Sequence, residues 1–205
     1  MHAPKLVILG RDGILNEYSE EHIKSAPEWL PVPGALEAVA RLNHGGWHTV
    51  LATNQSGIGR GLIDMASLNA VHLYMMKLLA AQGGRLDGVF FCPHTPDEQC
   101  DCRKPMPGMM RQIAERYGID NLGKVPMVCD TLRDLQAAQA AGCQAHLVRT
   151  GRAAALTPEQ LAHWCAQVDA VTVHDDLAGF VDFLLHREHV ARGEVGEDSR
   201  PRALD

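Results

Sequence analysis

The 205-residue chain has no apolar run approaching the roughly 20 residues that a membrane span needs. Its N-terminus also lacks the charged-then-apolar order of a secretory signal, so a cytoplasmic protein with no membrane partner is expected. Basic charge is scarce: 19 Lys and Arg stand against 25 Asp and Glu, for a formal net charge of −6. That balance argues against general nucleic-acid affinity, which rests on a basic surface that neutralises phosphates. Any basic residues that matter must therefore act locally. With no export signal, the six cysteines do not read as a disulfide framework.

With 46% hydrophobic residues, the chain can fill one sizeable core. Short apolar runs alternate with amphipathic stretches along it. Lys5 to Leu9 reads as a buried strand, and Gly10 to Gly13 as a tight turn that presents the Asp12 carboxylate at the strand end. Glu17 to Val32 is polar and broken by Pro27 and Pro31, as in a loop or small flap over the strand ends. Helical spacing over Ala35 to Asn43 is followed by a strand over Trp47 to Ala52, a βαβ unit that implies a parallel sheet. Further helices are expected over about 65–82, 107–117, up to Gly142, from Thr157, and over 177–185. Further strands are expected over 86–92, 125–129, 145–148 and 170–174. This alternation predicts a doubly wound α/β domain over residues 1–185, with ligands at the carboxyl edge of its sheet. Residues 186–205 are polar and charge-mixed, and are expected to form a disordered tail.

The chemistry-bearing stretches fall at those strand ends. Thr53 to Gly61 carries small residues and glycines that free backbone N–H groups for an anion, and Arg60 adds charge. Cys92-x-His94 is followed after five residues by Cys100-x-Cys102, offering three thiolates and one imidazole from a short loop. That set suits tetrahedral zinc in a closed, structural site. Zinc there would pin Arg103 and Lys104, which come next in the chain. Cys129, Cys143 and Cys165 read as buried, inert thiols, and His72 as part of a helix's core stripe.

In this order, an acidic strand end, a hydroxyl strand end, a lysine and a second acidic strand end resemble the haloacid dehalogenase (HAD) superfamily of phosphohydrolases. The zinc cluster joined to Arg103-Lys104-Pro105-x-Pro107-Gly108 is similar to the branch of that superfamily containing heptose bisphosphate phosphatases and histidinol-phosphate phosphatases. Thr53 to Gly61 and Leu147 to Gly151 look like the heptose form, and the match covers about residues 5 to 185. The resemblance implies no large cap domain. It implies a phosphomonoesterase acting on a small sugar phosphate, the 7-phosphate of a heptose 1,7-bisphosphate of lipopolysaccharide core synthesis. It also implies a monomer using magnesium.

Carried over by position, the resemblance makes Asp12 the general acid and base, with Thr53 and Lys104 binding the transferred phosphate. Asn54, Gln55, Ser56, Arg60 and Arg103 contact substrate, Arg103 at the distal phosphate or sugar. Asp130 binds magnesium with the backbone carbonyl of Asp12, and Asp134 supports them. The family's first motif reads Asp-x-Asp-Gly with its first Asp as nucleophile, and here that position is Gly10. Cys129 stands where the family usually has Gly, and Thr131 where the heptose branch has a lysine. The chain is expected to have lost most or all turnover, with a pseudophosphatase that binds a sugar phosphate or a protein partner as one alternative reading and a histidinol-phosphate phosphatase as another.

Overall fold

The computed structural model describes residues 4–193. The apolar run after Lys5 is a strand, β1 (Leu6–Leu9), buried along its whole length. Side chains alternate across a strand, so β1 feeds two cores. Val7 and Leu9 belong to one hydrophobic cluster, Leu6 and Ile8 to the other. This is the pattern of a parallel sheet covered on both faces.

The chain continues through a 3-10 turn (Ala26–Glu28), helix α1 (Ala35–His44), strand β2 (His48–Asn54), a single helical turn α2 (Ser56–Gly59), α3 (Met65–Ala81) and β3 (Gly88–Cys92). After another 3-10 turn (Pro96–Glu98) come α4 (Gly108–Tyr117), β4 (Pro126–Cys129), α5 (Leu132–Ala141), β5 (Gln144–Val148), α6 (Pro158–Cys165), β6 (Thr172–His174) and α7 (Leu177–Ala191). All six strands are parallel, in the order β3-β2-β1-β4-β5-β6. Residues of α1, α3 and α7 fill the cluster on the Val7 side, and those of α4 and α5 the cluster on the Leu6 side.

This order places the functional edge. From β1 the chain builds outward through β2 to β3, then returns to lay β4 against the other side of β1. Connections leave β1 and β4 in opposite directions, opening a crevice beyond their carboxyl ends. Gly10 to Asp12 follow β1 and Asp130 follows β4, so one topological step brings together residues more than a hundred positions apart.

The expected tail boundary is corrected. Helix α7 runs on through Ala191 instead of stopping at Leu185. The added turns are held because Glu188 accepts hydrogen bonds from the Trp47 indole (3.0 Å) and Lys5 Nζ (2.6 Å), tying the helix end to the start of β1 and β2. The remainder of the expected tail, 194–205, lies outside the described residues. No helix among the described residues is long and apolar enough to cross a membrane.

Candidate active site

A cleft of about 280 Å³ opens at the carboxyl edge of the sheet. It is lined by six cationic side chains, Arg11, Arg60, Arg103, Lys104, Arg133 and Arg152, against the four carboxylates of Asp12, Glu20, Asp130 and Asp134. Local charge thus runs opposite to the negative sign of the whole chain. A pocket of this kind concentrates anions.

Asp12 sits on the turn after β1 in a net of donors. Arg11 Nη2 reaches its Oδ1 at 2.9 Å, Asn16 Nδ2 the same oxygen at 3.1 Å, and Gln55 Nε2 its Oδ2 at 3.0 Å. Burial works to raise its pKa, but the Arg11 charge and these hydrogen bonds hold it below the usual aspartate value. Arg11, only 1% exposed, lies behind the site with Nη1 3.3 Å from His72 Nε2 on α3. A guanidinium can only donate, so that nitrogen of His72 must be unprotonated. Burial, then the Arg11 charge, depress the His72 pKa to about 4, which fits.

Gln55 also donates to Thr53 Oγ1 (2.9 Å), joining the end of β2 to Asp12. Across the cleft, Lys104 Nζ donates to the Ala52 carbonyl (2.9 Å) and pairs with Asp134 Oδ1 (2.7 Å). Its backbone is clamped reciprocally by Asn54: Asn54 Nδ2 donates to the Lys104 carbonyl, and the Lys104 N–H donates to Asn54 Oδ1, each at 3.1 Å.

Asp130 occupies a cradle made by two glycines. Gly13 (φ +80°) and Gly151 (φ +55°) both take left-handed backbones, and a Cβ on either would lie 2.1 or 2.3 Å from Asp130 Oδ2. That oxygen accepts the Arg152 backbone N–H at 3.1 Å. Burial and the neighbouring Asp134 push the Asp130 pKa well above the usual range. Asp134, equally buried, is held below its own usual value by Lys104. Thr131, where the resemblance places a lysine, caps α5 by accepting the Asp134 N–H at 3.2 Å.

The second expected site is also assembled, though it does not line the cleft. Ligand atoms of Cys92, His94, Cys100 and Cys102 all lie within 4.8 Å of one another. Cys92 Sγ is 3.5 Å from His94 Nδ1, 3.6 Å from Cys100 Sγ and 3.2 Å from Cys102 Sγ, and three thiols with one imidazole so gathered fit zinc. The cluster organises the cleft from outside. Arg103 Nη1 donates to the His94 carbonyl (3.2 Å), while Gln55 N–H and Gly59 N–H donate to the carbonyls of Cys92 (2.7 Å) and Pro93 (2.9 Å).

Gly10, Asp12, Thr53, Asn54, Gln55, Ser56, Arg60, Arg103, Lys104, Asp130 and Asp134, each singled out from the sequence, line this one cleft. Gly10 is held by its N–H to the Val128 carbonyl (3.4 Å). A Cβ there would meet only the flexible tip of Ile14, Cδ1 at 2.8 Å, with nothing else closer than 3.7 Å. Sequence reasoning missed Arg11, Tyr18, His22, Arg133 and Arg152, which also line the cleft. Arg11 and Arg133 could have been suspected, since they lie between residues that were flagged. Tyr18 and His22 gave no signal inside an aperiodic segment. Tyr18 hydrogen-bonds Arg152, whose guanidinium stacks 4.5 Å from its ring centroid.

Comparison with known proteins points one way. The HAD-hydrolase-like family pattern matches residues 101–179. The D-glycero-beta-D-manno-heptose-1,7-bisphosphate 7-phosphatase of Bordetella bronchiseptica is 56% identical over 147 residues, covering 72% of this chain and 82% of that protein. The enzyme of the same name from Pseudomonas aeruginosa is 46% identical over 180 residues, covering 88% and 97%. Among solved structures, the D,D-heptose 1,7-bisphosphate phosphatase of B. bronchiseptica, complexed with magnesium and phosphate, superposes with a TM-score of 0.83 at 49% identity, covering 89% of this chain and 99% of that one.

Proposed function

The chain belongs to the HAD-like hydrolases, in the family of the D-glycero-β-D-manno-heptose-1,7-bisphosphate 7-phosphatases, and from that membership we propose that its cleft binds a heptose 1,7-bisphosphate as a phosphomonoesterase does but, with glycine at position 10, turns it over little or not at all. The observation that carries this reading is the contrast between Thr53, Lys104 and Asp12, which line the cleft, and the missing carboxylate at residue 10. Phosphoryl transfer is mostly positioning and charge neutralisation, and those parts are present.

Lys104 Nζ and the Thr53 hydroxyl bind oxygens of the 7-phosphate. Asp12, steered by Arg11, Asn16 and Gln55, faces the leaving oxygen. It is ionised at rest, and a dianionic phosphate arriving beside it raises its proton affinity, preparing it to protonate the departing sugar oxygen. Asp130 and the Asp12 carbonyl would hold magnesium, with Asp134 in support. Asp130, in its glycine cradle beside the buried Asp134, suits a divalent cation, which relieves the repulsion between the two carboxylates. Magnesium, when bound, neutralises phosphate oxygens and favours in-line displacement. Without a carboxylate on residue 10 no aspartyl-phosphate forms, and substrate is held where nothing attacks it. The reading places the chain in the cytoplasm, where a thiol-rich metal cluster stays reduced.

The test is phosphate release from D-glycero-β-D-manno-heptose 1,7-bisphosphate with magnesium, comparing the chain with its Gly10→Asp variant. A gain of at least about 10³-fold in the variant is expected, given what removing a nucleophile costs. Rapid release by the unaltered chain overturns the claim of inactivity. Release by neither, with the bisphosphate still bound, leaves a binding protein that has lost more than its nucleophile.

A further inference from the structure

Three non-glycine residues among those described take a left-handed backbone: His22 (φ +64°), Gln99 (φ +46°) and Ala170 (φ +53°). Of these, His22 alone lines the cleft. Such a conformation is costly for a side chain with a Cβ, and where it persists at a site the surroundings must hold it there. The next residue holds the segment in place. Ile23 also touches the cleft wall but is buried in the core with Trp29, only 5% exposed, so the chain is anchored one residue after His22. Glycine would make that turn without strain. The position carries an imidazole instead.

The ring lies against the turn after β2. A Cβ on Gly57 would sit 3.6 Å from His22 Cγ and 3.7 Å from its Nδ1, ordinary contact distances. Among the described residues, neither ring nitrogen hydrogen-bonds a protein group. The cations of the cleft suit phosphates, but a sugar also brings hydroxyls, which are read by groups that both donate and accept. Neutral imidazole does both, one nitrogen each way. Burial and then the nearby Arg60 charge lower the His22 pKa, favouring that neutral form.

We propose that His22 is a specificity-determining residue that hydrogen-bonds a hydroxyl of the sugar body in the cleft, an inference that rests on the sugar-bisphosphate reading above. Its strained backbone is then the consequence of presenting a polar ring from a segment anchored one residue later.

The test uses the chain as it stands, with binding of D-glycero-β-D-manno-heptose 1,7-bisphosphate and of inorganic phosphate each measured by calorimetry in magnesium. His22→Gly, which fits the left-handed backbone, is expected to fold with a thermal midpoint no lower than the native chain's. It should bind the bisphosphate about 5–10-fold more weakly, as for one lost hydrogen bond, and inorganic phosphate unchanged. His22→Asn, tolerant of this backbone and still polar, should recover part of the loss. Bisphosphate affinity unchanged in His22→Gly overturns the proposal. So does an equal loss for both ligands, which marks a disturbed flap instead of a sugar contact. If the native chain binds phosphate but not the bisphosphate, the sugar-bisphosphate reading has failed, and the role of His22 with it.

Discussion

Lys104 and Asp134 form an ion pair buried on both sides, Nζ to Oδ1 at 2.7 Å with side chains 6% and 8% exposed. Each keeps the other charged: against burial, Asp134 raises the Lys104 pKa and Lys104 lowers that of Asp134. A buried pair is weak evidence of net stabilisation, but breaking one leaves an uncompensated charge in the interior. Lys104→Ala is therefore expected to cost about 3–5 kcal/mol, and Lys104→Met paired with Asp134→Leu to cost less than Lys104→Ala alone. Urea unfolding of the three proteins checks both, and a costless Lys104→Ala contradicts the pairing.

The space at Gly10 leads to a second expectation. A side chain there displaces only the tip of Ile14, so Gly10→Asp and Gly10→Asn should both fold. Only the aspartate adds anionic charge beside Asp130. Magnesium binding, measured by calorimetry, should tighten by about 10-fold or more in Gly10→Asp, because ligand charge sets affinity for hard cations. In Gly10→Asn it should stay near that of the unaltered chain.

The cysteine cluster should hold one zinc per chain when the protein is purified without chelator, as read by elemental analysis. Cys100→Ser should lose it. Because the loop places Arg103 and Lys104, and is stitched to the turn after β2 at Gln55 and Gly59, zinc loss should also weaken inorganic phosphate binding. Phosphate affinity that survives full removal of zinc argues against this coupling.

Two buried histidines set an acid limit. Burial, the first cause in each, depresses His72 to about 4 and His146 to about 3. His146 Nδ1 lies 3.0 Å from His174 Nε2, and its ring packs on Phe180. Folded pKa values below the unfolded value of about 6.5 mean that the unfolded chain takes up protons first. Stability is thus complete above about pH 6.5 and falls as pH drops toward the folded values. By about pH 5 the loss should be on the order of 2 kcal/mol per histidine. Urea midpoints at about pH 7.5 and about pH 5 should differ less in His146→Gln than in the native chain.

Most of the architecture was legible in order along the chain, because strand and helix periodicities are local. Val7 and Leu9 against Leu6 and Ile8 announce a two-faced strand wherever the rest of the protein goes. The error at α7 came from the same source: His186 to Ala191 look like a polar tail when read alone, and Lys5 and Trp47, far away in sequence, tie them to the sheet through Glu188.

The sequence by itself determined the covalent facts of the site: three thiols and a histidine at metal spacing, Lys104 directly after them, Thr53 and Asp130 at strand ends, and no carboxylate at residue 10. Only the tertiary structure decided which groups stand behind and beside them. Arg11 meets His72 across 61 residues and Tyr18 meets Arg152 across 134, separations that no periodic pattern encodes. His22 lines the cleft on a left-handed backbone, one residue before the buried Ile23. Short-range patterns specify elements, whereas the charge, strain and access of a site arise where the β1–β4 crossover brings distant segments to one edge.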